Sequence, residues 1–224
     1  MKIDVHVHTS EVSGCGQLPG AEMARLYKQA GYDAIVITDH LIAGTHQDMT
    51  PEARAEWYVS GYRAAKAEGE KIGLTVLLGA ELRFFGGNED FLLYGLTPED
   101  VQWIFEKLDA DTRLDGFYPL VRQFGRMLLI QAHPFREPLR HAPTELLDGV
   151  EVYNAANANH KNHNDQALAY ARSARPGFIQ TSGSDAHMLS QVGHGGLIAD
   201  APIRTESELV AWLRAHPVPK RIEE

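Results

Sequence analysis

Cysteine is nearly missing from this chain: one, Cys15, among 224 residues. A single thiol builds no internal disulfide, so folding does not depend on an oxidising compartment. No apolar run approaches the roughly 20 residues that cross a bilayer. No charged-then-apolar leader is present, Met1 running straight into a strand pattern. The expectation is a soluble, cytoplasmic protein without a membrane partner. Positive charge is also short, 21 Lys and Arg against 30 Asp and Glu, for a formal net charge of −9. That balance argues against a non-specific grip on a nucleic-acid backbone. It does not exclude a small anionic substrate, because bound divalent cations would offset the charge locally. A serine nucleophile elbow and a Gly-rich phosphate cradle with lysine are missing too. Linkers, repeats and low-complexity segments are likewise not found, and a length of 224 residues suits one α/β barrel. The expectation is a single domain over 1–224.

What the chain has is histidine, eleven of them, unevenly placed. The first ten residues set the theme. Ile3, Val5 and Val7 alternate with Asp4, His6 and His8, the period of a strand. Residues two apart share a strand face, so His6 and His8 stand side by side. Such a pair can grip a metal ion or sit on a solvated edge.

Pro19 to Ala30 then reads as a helix, followed by the doubly covered strand Ala34-Ile35-Val36-Ile37, completing a βαβ unit. A helix over Pro51–Glu70, a strand Leu74–Ala80 and a short strand Phe91–Tyr94 come next. Thr97-Pro98-Glu99-Asp100 opens a helix, and another spans Leu114–Phe124. Strands at Met127–Ala132, Gly149–Val152 and Phe178–Thr181 enclose a helix near Asp165–Ser173. A last strand is expected at Gly195–Ala199, and a closing helix over Thr205–Ala215 with a Thr205/Glu208 capping box.

His6 and His8, His40, Glu81, His133, Asp185 and His187 each fall at or just past the C-terminal end of one of these strands. In a closed β/α barrel that rim is where loops converge and chemistry is done. Five imidazoles and two carboxylates exceed the needs of one ion and suit two or three, of Zn, Mn or Fe. Paired ions of that kind stabilise phosphoryl displacement.

The motifs His6-Val-His8-Thr9, Thr38-Asp39-His40, Gly79-Ala80-Glu81, Ala132-His133-Pro134 and Ser184-Asp185-Ala186-His187 together resemble the PHP (polymerase and histidinol phosphatase) superfamily, over about residues 1–200. The resemblance implies an α/β fold, a distorted seven-stranded (β/α)7 TIM-like barrel. It implies phosphoester hydrolysis by a metal-activated hydroxide. It also implies a first metal on His6, His8, Glu81 and Asp185, a second on Glu81 and His133, and a third on His40 and His187. Glu81, Asp185 and His187 would be the catalytic residues. Two positions depart: Ser13-Gly14-Cys15-Gly16-Gln17 stands where a further histidine is expected, and no histidine lies between Glu81 and His133. Cys15 or Glu11 are candidates to fill one gap; otherwise Cys15 is a small apolar or bystander residue.

For the substrate, Arg136, Arg83 and His194 are the candidate contacts. The stretch Asn154, Asn157, Asn159, His160, Lys161 and His163 either recognises substrate or is a solvated loop. Asp39 is expected to hold an imidazole or cap its turn. His46, His141 and His216 read as surface residues. The leading expectation is a hydrolase of a small phosphate ester, a monoester before a diester. Alternatives are a histidinol-phosphate or phosphotyrosine-protein phosphatase on the same site, or a metal-binding module without turnover. The general acid would be a metal-linked water or His187.

Overall fold

The computed structural model describes residues 1–108, 110–156 and 161–224. Part of its frame is short, continuously buried apolar strand, as at Ala34–Ile37, too apolar to face water on either side. In chain order, β1 (Lys2–Val7) leads to α1 (Gly20–Gln29), β2 (Ala34–Ile37) and β3 (His40–Ile42). Then come α2 (Pro51–Tyr58), α3 (Ser60–Ile72), β4 (Thr75–Arg83), β5 (Asp90–Tyr94), α4 (Pro98–Lys107) and α5 (Leu114–Phe124). The chain ends with β6 (Leu128–Gln131), β7 (Gly149–Asn154), α6 (Asn164–Ser173), β8 (Ile179–Gly183), β9 (Gly195–Ile198), α7 (Glu206–Ala215) and β10 (Lys220–Glu223).

The sheet runs β10-β9-β1-β2-β4-β5-β6-β7-β8, with β3 paired to the far end of β4. It curls until β8 meets β1. Val7 bridges Ala186 in parallel, and Asp185 N–H donates to the His6 carbonyl at 3.0 Å. The result is a nearly closed α/β barrel, as expected, but with ten strands among the described residues rather than seven. Three differences have clear causes. The connection between β4 and β5 covers only residues 84–89, too short for a crossover helix, so β5 runs antiparallel to both neighbours. β9 returns antiparallel to β1, and the unforeseen β10 extends that edge. β3 is three residues long, too brief to show a period.

The helix expected over Pro51–Glu70 is two. Ser60 Oγ–H donates to the Trp57 carbonyl at 2.7 Å, and the axis breaks at Val59. The break brings Gly61 against the turn after β1, where a Cβ would lie 2.0 Å from Thr9 Oγ1. Only glycine allows α3 that close. At α7 the Thr205 hydroxyl accepts from Glu208 N–H at 3.2 Å, as foreseen. The Glu208 carboxylate, however, takes Arg204 N–H at 2.7 Å rather than closing the box on Thr205.

Two apolar layers hold this frame. One lies between sheet and helices, with Met23, Tyr27, Ile35 and Leu78. The other fills the lower barrel, where Ile3, Val5, Leu77 and Ile130 pack on Leu209 and Leu213 of α7.

Candidate metal centre

β1 supplies the first two imidazoles by a device that alternation does not reveal. Asp4 pairs with Ile35 but Val7 with Ile37, so β1 carries one extra residue, a bulge. Below it, Ile3 and Val5 enter the barrel floor while Asp4 faces out, taking the Tyr27 hydroxyl of α1 at 2.8 Å. Above it the sides exchange: Val7 joins the outer layer, and His6 and His8 turn into the mouth. Six histidine and carboxylate side chains of that mouth, His6, His8, Glu81, His133, Glu151 and Asp185, are at most 4% exposed.

The hydrogen-bond inventory shows what this mouth can hold. His6 Nδ1 lies 2.9 Å from Glu151 Oε1 and must donate to it. Ser13 Oγ gives its proton to Asp39 at 2.7 Å, so it accepts from His8 Nδ1 at 3.2 Å. Both rings thereby turn Nε2 inward, 3.1 Å apart. Asp185 Oδ1 stands 3.4 and 3.2 Å from these two atoms, and the Glu81 oxygens stand 3.4 and 3.3 Å away. Two ring nitrogens and two carboxylates thus converge on one point, with at most one proton to share. Glu81 Oε2 is buried and has no aligned hydrogen-bond partner among the described residues. A divalent cation satisfies all of them at once, so the donor set fits a metal.

Electrostatics agree. Burial opposes a charge on His6, but Glu151, Asp185 and Glu81 outweigh it and hold the ring well above the ordinary imidazole value. Burial and then the nearby His187 push His8 well below it. Burial would raise both carboxyls. His40 and His6 nevertheless draw Glu81 well down, and His6, His8 and Arg136 do the same for Asp185. Without metal, His6 holds the proton that a cation would displace.

Glu81 lies inside β4, not at its end as expected, and it is the hub. His133 Nε2 is 3.0 Å from its Oε1, and His40 Nδ1 is 2.8 Å from its Oε2 without hydrogen-bond alignment. Ligand atoms of His8, His40 and His187 also lie within 4.8 Å of one another, as do those of His40, Glu81 and Asp90. All seven sequence-predicted ligands therefore meet in one mouth.

What holds them is partly backbone strain. His133 and Asp185 sit at φ of 28° and 53°, a region side-chain-bearing residues seldom occupy. Asp39 takes Thr9 N–H at 2.7 Å and the Thr9 hydroxyl at 2.6 Å, and reaches His8 through Ser13. It caps the turn and orients an imidazole at once.

The model of the PHP domain family matches residues 4–206. The chain belongs to the PHP family. Among solved structures, PsfC from Pseudomonas syringae is 18% identical, with a TM-score of 0.66 over 100% of this chain and 91% of that one. A two-domain protein from Bacteroides vulgatus containing a predicted PHP-like metal-dependent phosphoesterase is 15% identical, with a TM-score of 0.64 over 97% of this chain and 63% of that one. An amidohydrolase from Chromobacterium violaceum, solved with bound sulfate and no metal, is 16% identical, with a TM-score of 0.55 over 92% and 94%. At such identities the likeness is one of fold. No curated protein matches the sequence.

Above these side chains, this PHP barrel opens into a cleft of about 350 Å³ lined by Cys15, Arg83, Asp90, Arg136 and Gln191 beside His40, Glu81, His133, Asp185 and His187. Arg136 reaches Asp185 Oδ2 at 2.6 Å and is steadied by Asn162 Oδ1 at 2.7 Å. Arg83 clasps Asp90 at 2.6 and 2.7 Å. His194 is a correction: it is exposed at the start of β9 and does not line the cleft. Glu11 is another, its carboxylate capping Gly20 N–H at 3.0 Å on α1. The polar loop divides. Asn154 is buried and donates to Glu151 and Asp185 at 2.9 and 3.2 Å, whereas Lys161 and His163 pair with exposed Glu137. Asn157, Asn159 and His160 lie outside the described residues. His46, His141 and His216 are exposed.

Two mouth residues escaped the sequence. Glu151 orients His6 and takes His133 N–H at 3.0 Å; the only signal was a lone carboxylate between Val150 and Val152. Asp90, 3.9 Å from His133 Nε2, stands between Glu81 and His133 where no histidine occurs; it merely preceded an apolar run.

Proposed function

We propose that this chain is a single PHP domain that hydrolyses a small phosphate ester, a monoester first, using two or three divalent ions held at the barrel mouth. The observation that carries this reading is the convergence of His6, His8, Glu81 and Asp185 on one point that lacks the protons to satisfy them. Ions there would polarise the phosphoryl oxygens and acidify a water, so no protein nucleophile is required.

The chain's own groups account for the rest. Arg136 and Arg83 bring guanidinium charge to the cleft wall, where each now holds a carboxylate that an incoming phosphate would compete for. A volume of about 350 Å³ fits a small-molecule ester. His187 donates through Nδ1 to the Asp185 carbonyl at 2.9 Å, leaving Nε2 for the cleft. The strained backbones of His133 and Asp185 keep both side chains aimed inward before substrate arrives.

The test is phosphate release from a panel of monoesters and diesters, after chelation and with Mn²⁺ or Zn²⁺ restored. Turnover is expected only with metal, and Glu81→Gln should lose at least about a thousandfold in kcat while keeping the parent circular dichroism. No release from any ester with metal analysis at full loading would overturn the reading.

A further inference from the structure

We propose that a second cavity, at the end of the barrel away from the mouth, binds an organic phosphate bearing at least two negative charges. The cavity has a volume of about 470 Å³ and lies between the C-terminal end of α6 and β10. Residues 174–178, which lead into β8, form one side of it, whereas the mouth begins past the other end of that strand, at Asp185. The two sites share no lining residue.

Three guanidinium groups line this cavity, those of Arg172, Arg175 and Arg221, and among the described residues no carboxylate does. The chain as a whole carries a net charge of −9, so the gathering runs against its balance. One acid stands at the edge: Glu223 Oε1 accepts from Arg221 Nε at 2.6 Å. Arg175 gives its donors to the Thr144 and Leu147 carbonyls at 2.6 and 2.7 Å, which fixes its place without cancelling its charge. Arg172 is exposed and has no hydrogen-bond or ion-pair partner among the described residues. Like charges in one concavity repel, and a bound anion relieves them.

A second observation at the same place points to a ligand. Gln180 of β8 lines the cavity although it is only 5% exposed. Its Oε1 accepts from Arg221 Nη1 at 3.3 Å, and its Nε2 has no partner among the described residues. A buried amide donor costs free energy until an acceptor reaches it. Arg172 alone would need no ligand, because a cation in the last turn of a helix answers the helix dipole. That does not account for Arg221 and Gln180, which come from two strands.

The donors set the ligand class. What remains unused here is guanidinium and amide N–H, whose complement is a cluster of anionic oxygens, and phosphate matches the guanidinium fork. Leu168, Phe178 and the 62% exposed Val218 add an apolar wall for an organic body. The volume lies in the range of small-molecule sites.

Isothermal titration of the chelator-treated protein with ADP reads this site with the mouth unloaded. ADP should bind once per chain, and adenosine should not bind. Arg172→Glu should weaken ADP binding at least about tenfold and Gln180→Leu at least about threefold, both with the parent circular dichroism. Arg136→Ala, in the mouth, should leave the affinity as it is. Absence of binding at millimolar ADP overturns the inference, and so does parent-like affinity in either folded variant. If Gln180→Leu does not fold, Arg172→Glu decides alone. Binding lost in Arg136→Ala and kept in Arg172→Glu would put ADP in the mouth and overturn the inference as well.

Discussion

The floor and the mouth of this barrel are equally buried and chemically opposite. In the floor, Ile3, Val5, Leu77 and Ile130 meet α7 without a charge among them, none more than 1% exposed. Further along β1 and β4, and just past β8, His6, Glu81 and Asp185 are no more exposed, yet they carry charge and, at Glu81, a carboxylate oxygen with no aligned hydrogen-bond partner among the described residues. Each buried apolar side chain of the floor contributes about 1.5–3 kcal/mol to folding. Each buried ionisable group of the mouth costs free energy unless an opposite charge is held against it. Burial therefore means stability at one end and stored binding capacity at the other.

The sharpest break in the comparison is at the floor. Leu213→Ala in α7 should cost about 2–5 kcal/mol in urea unfolding. Metal equivalents per folded chain should not change, because α7 carries none of the ligands. A fall in stoichiometry would mean that floor and mouth are one unit rather than two. The converse experiment works on the mouth. A divalent ion at a hundred times its Kd should raise stability by about 2.7 kcal/mol, with protons released as His6 gives way. His8→Ala, weakening binding at least tenfold, should remove at least about 1.3 kcal/mol of that gain at the same metal concentration. An equal gain in parent and variant, read by thermal or urea melts, would remove His8 from the ligand set.

The two ends were also unequally legible. Helices announced themselves through Pro98 after Thr97 and Thr205 before α7, because caps are local chemistry. The side chains that meet in the mouth were legible through their place near strand ends, a regularity of the whole barrel, although Glu81 lies inside β4. What stayed hidden depends on register. The bulge in β1 adds one residue without any change in residue type, yet it turns Asp4 outward and His6 inward. Antiparallel β5 follows from the length of its loop, and Asp90 enters the mouth only because of that reversal. Glu151 resembled any surface glutamate until the barrel closed over it, and β3 was too short to recognise. The sequence thus specified which side chains matter to the mouth better than which backbone delivers them.

That bulge offers the smallest and most specific test, since it hangs on Asp4. Asp4 takes His6 N–H at 3.1 Å and Ser184 N–H at 3.2 Å on one oxygen, and the Tyr27 hydroxyl on the other. Burial raises its carboxyl to about 6 in spite of these donors. A folded value above the unfolded one means that the folded chain holds the proton more tightly. Its stabilising contribution is therefore complete below the ordinary carboxyl range and is lost as pH rises from about 4 through about 6. Above that range the ionised group depends on its donors. Tyr27→Phe deletes one of them, so in the metal-free protein it should cost about 2 kcal/mol at pH 8, where Asp4 is charged. At pH 5 the loss should fall to about 1 kcal/mol, because Asp4 is then mostly neutral. Urea unfolding of parent and variant at the two pH values measures the difference. A cost that does not grow with pH would mean that Tyr27 serves the outer apolar layer alone, and that the bulge beneath the mouth stands without it.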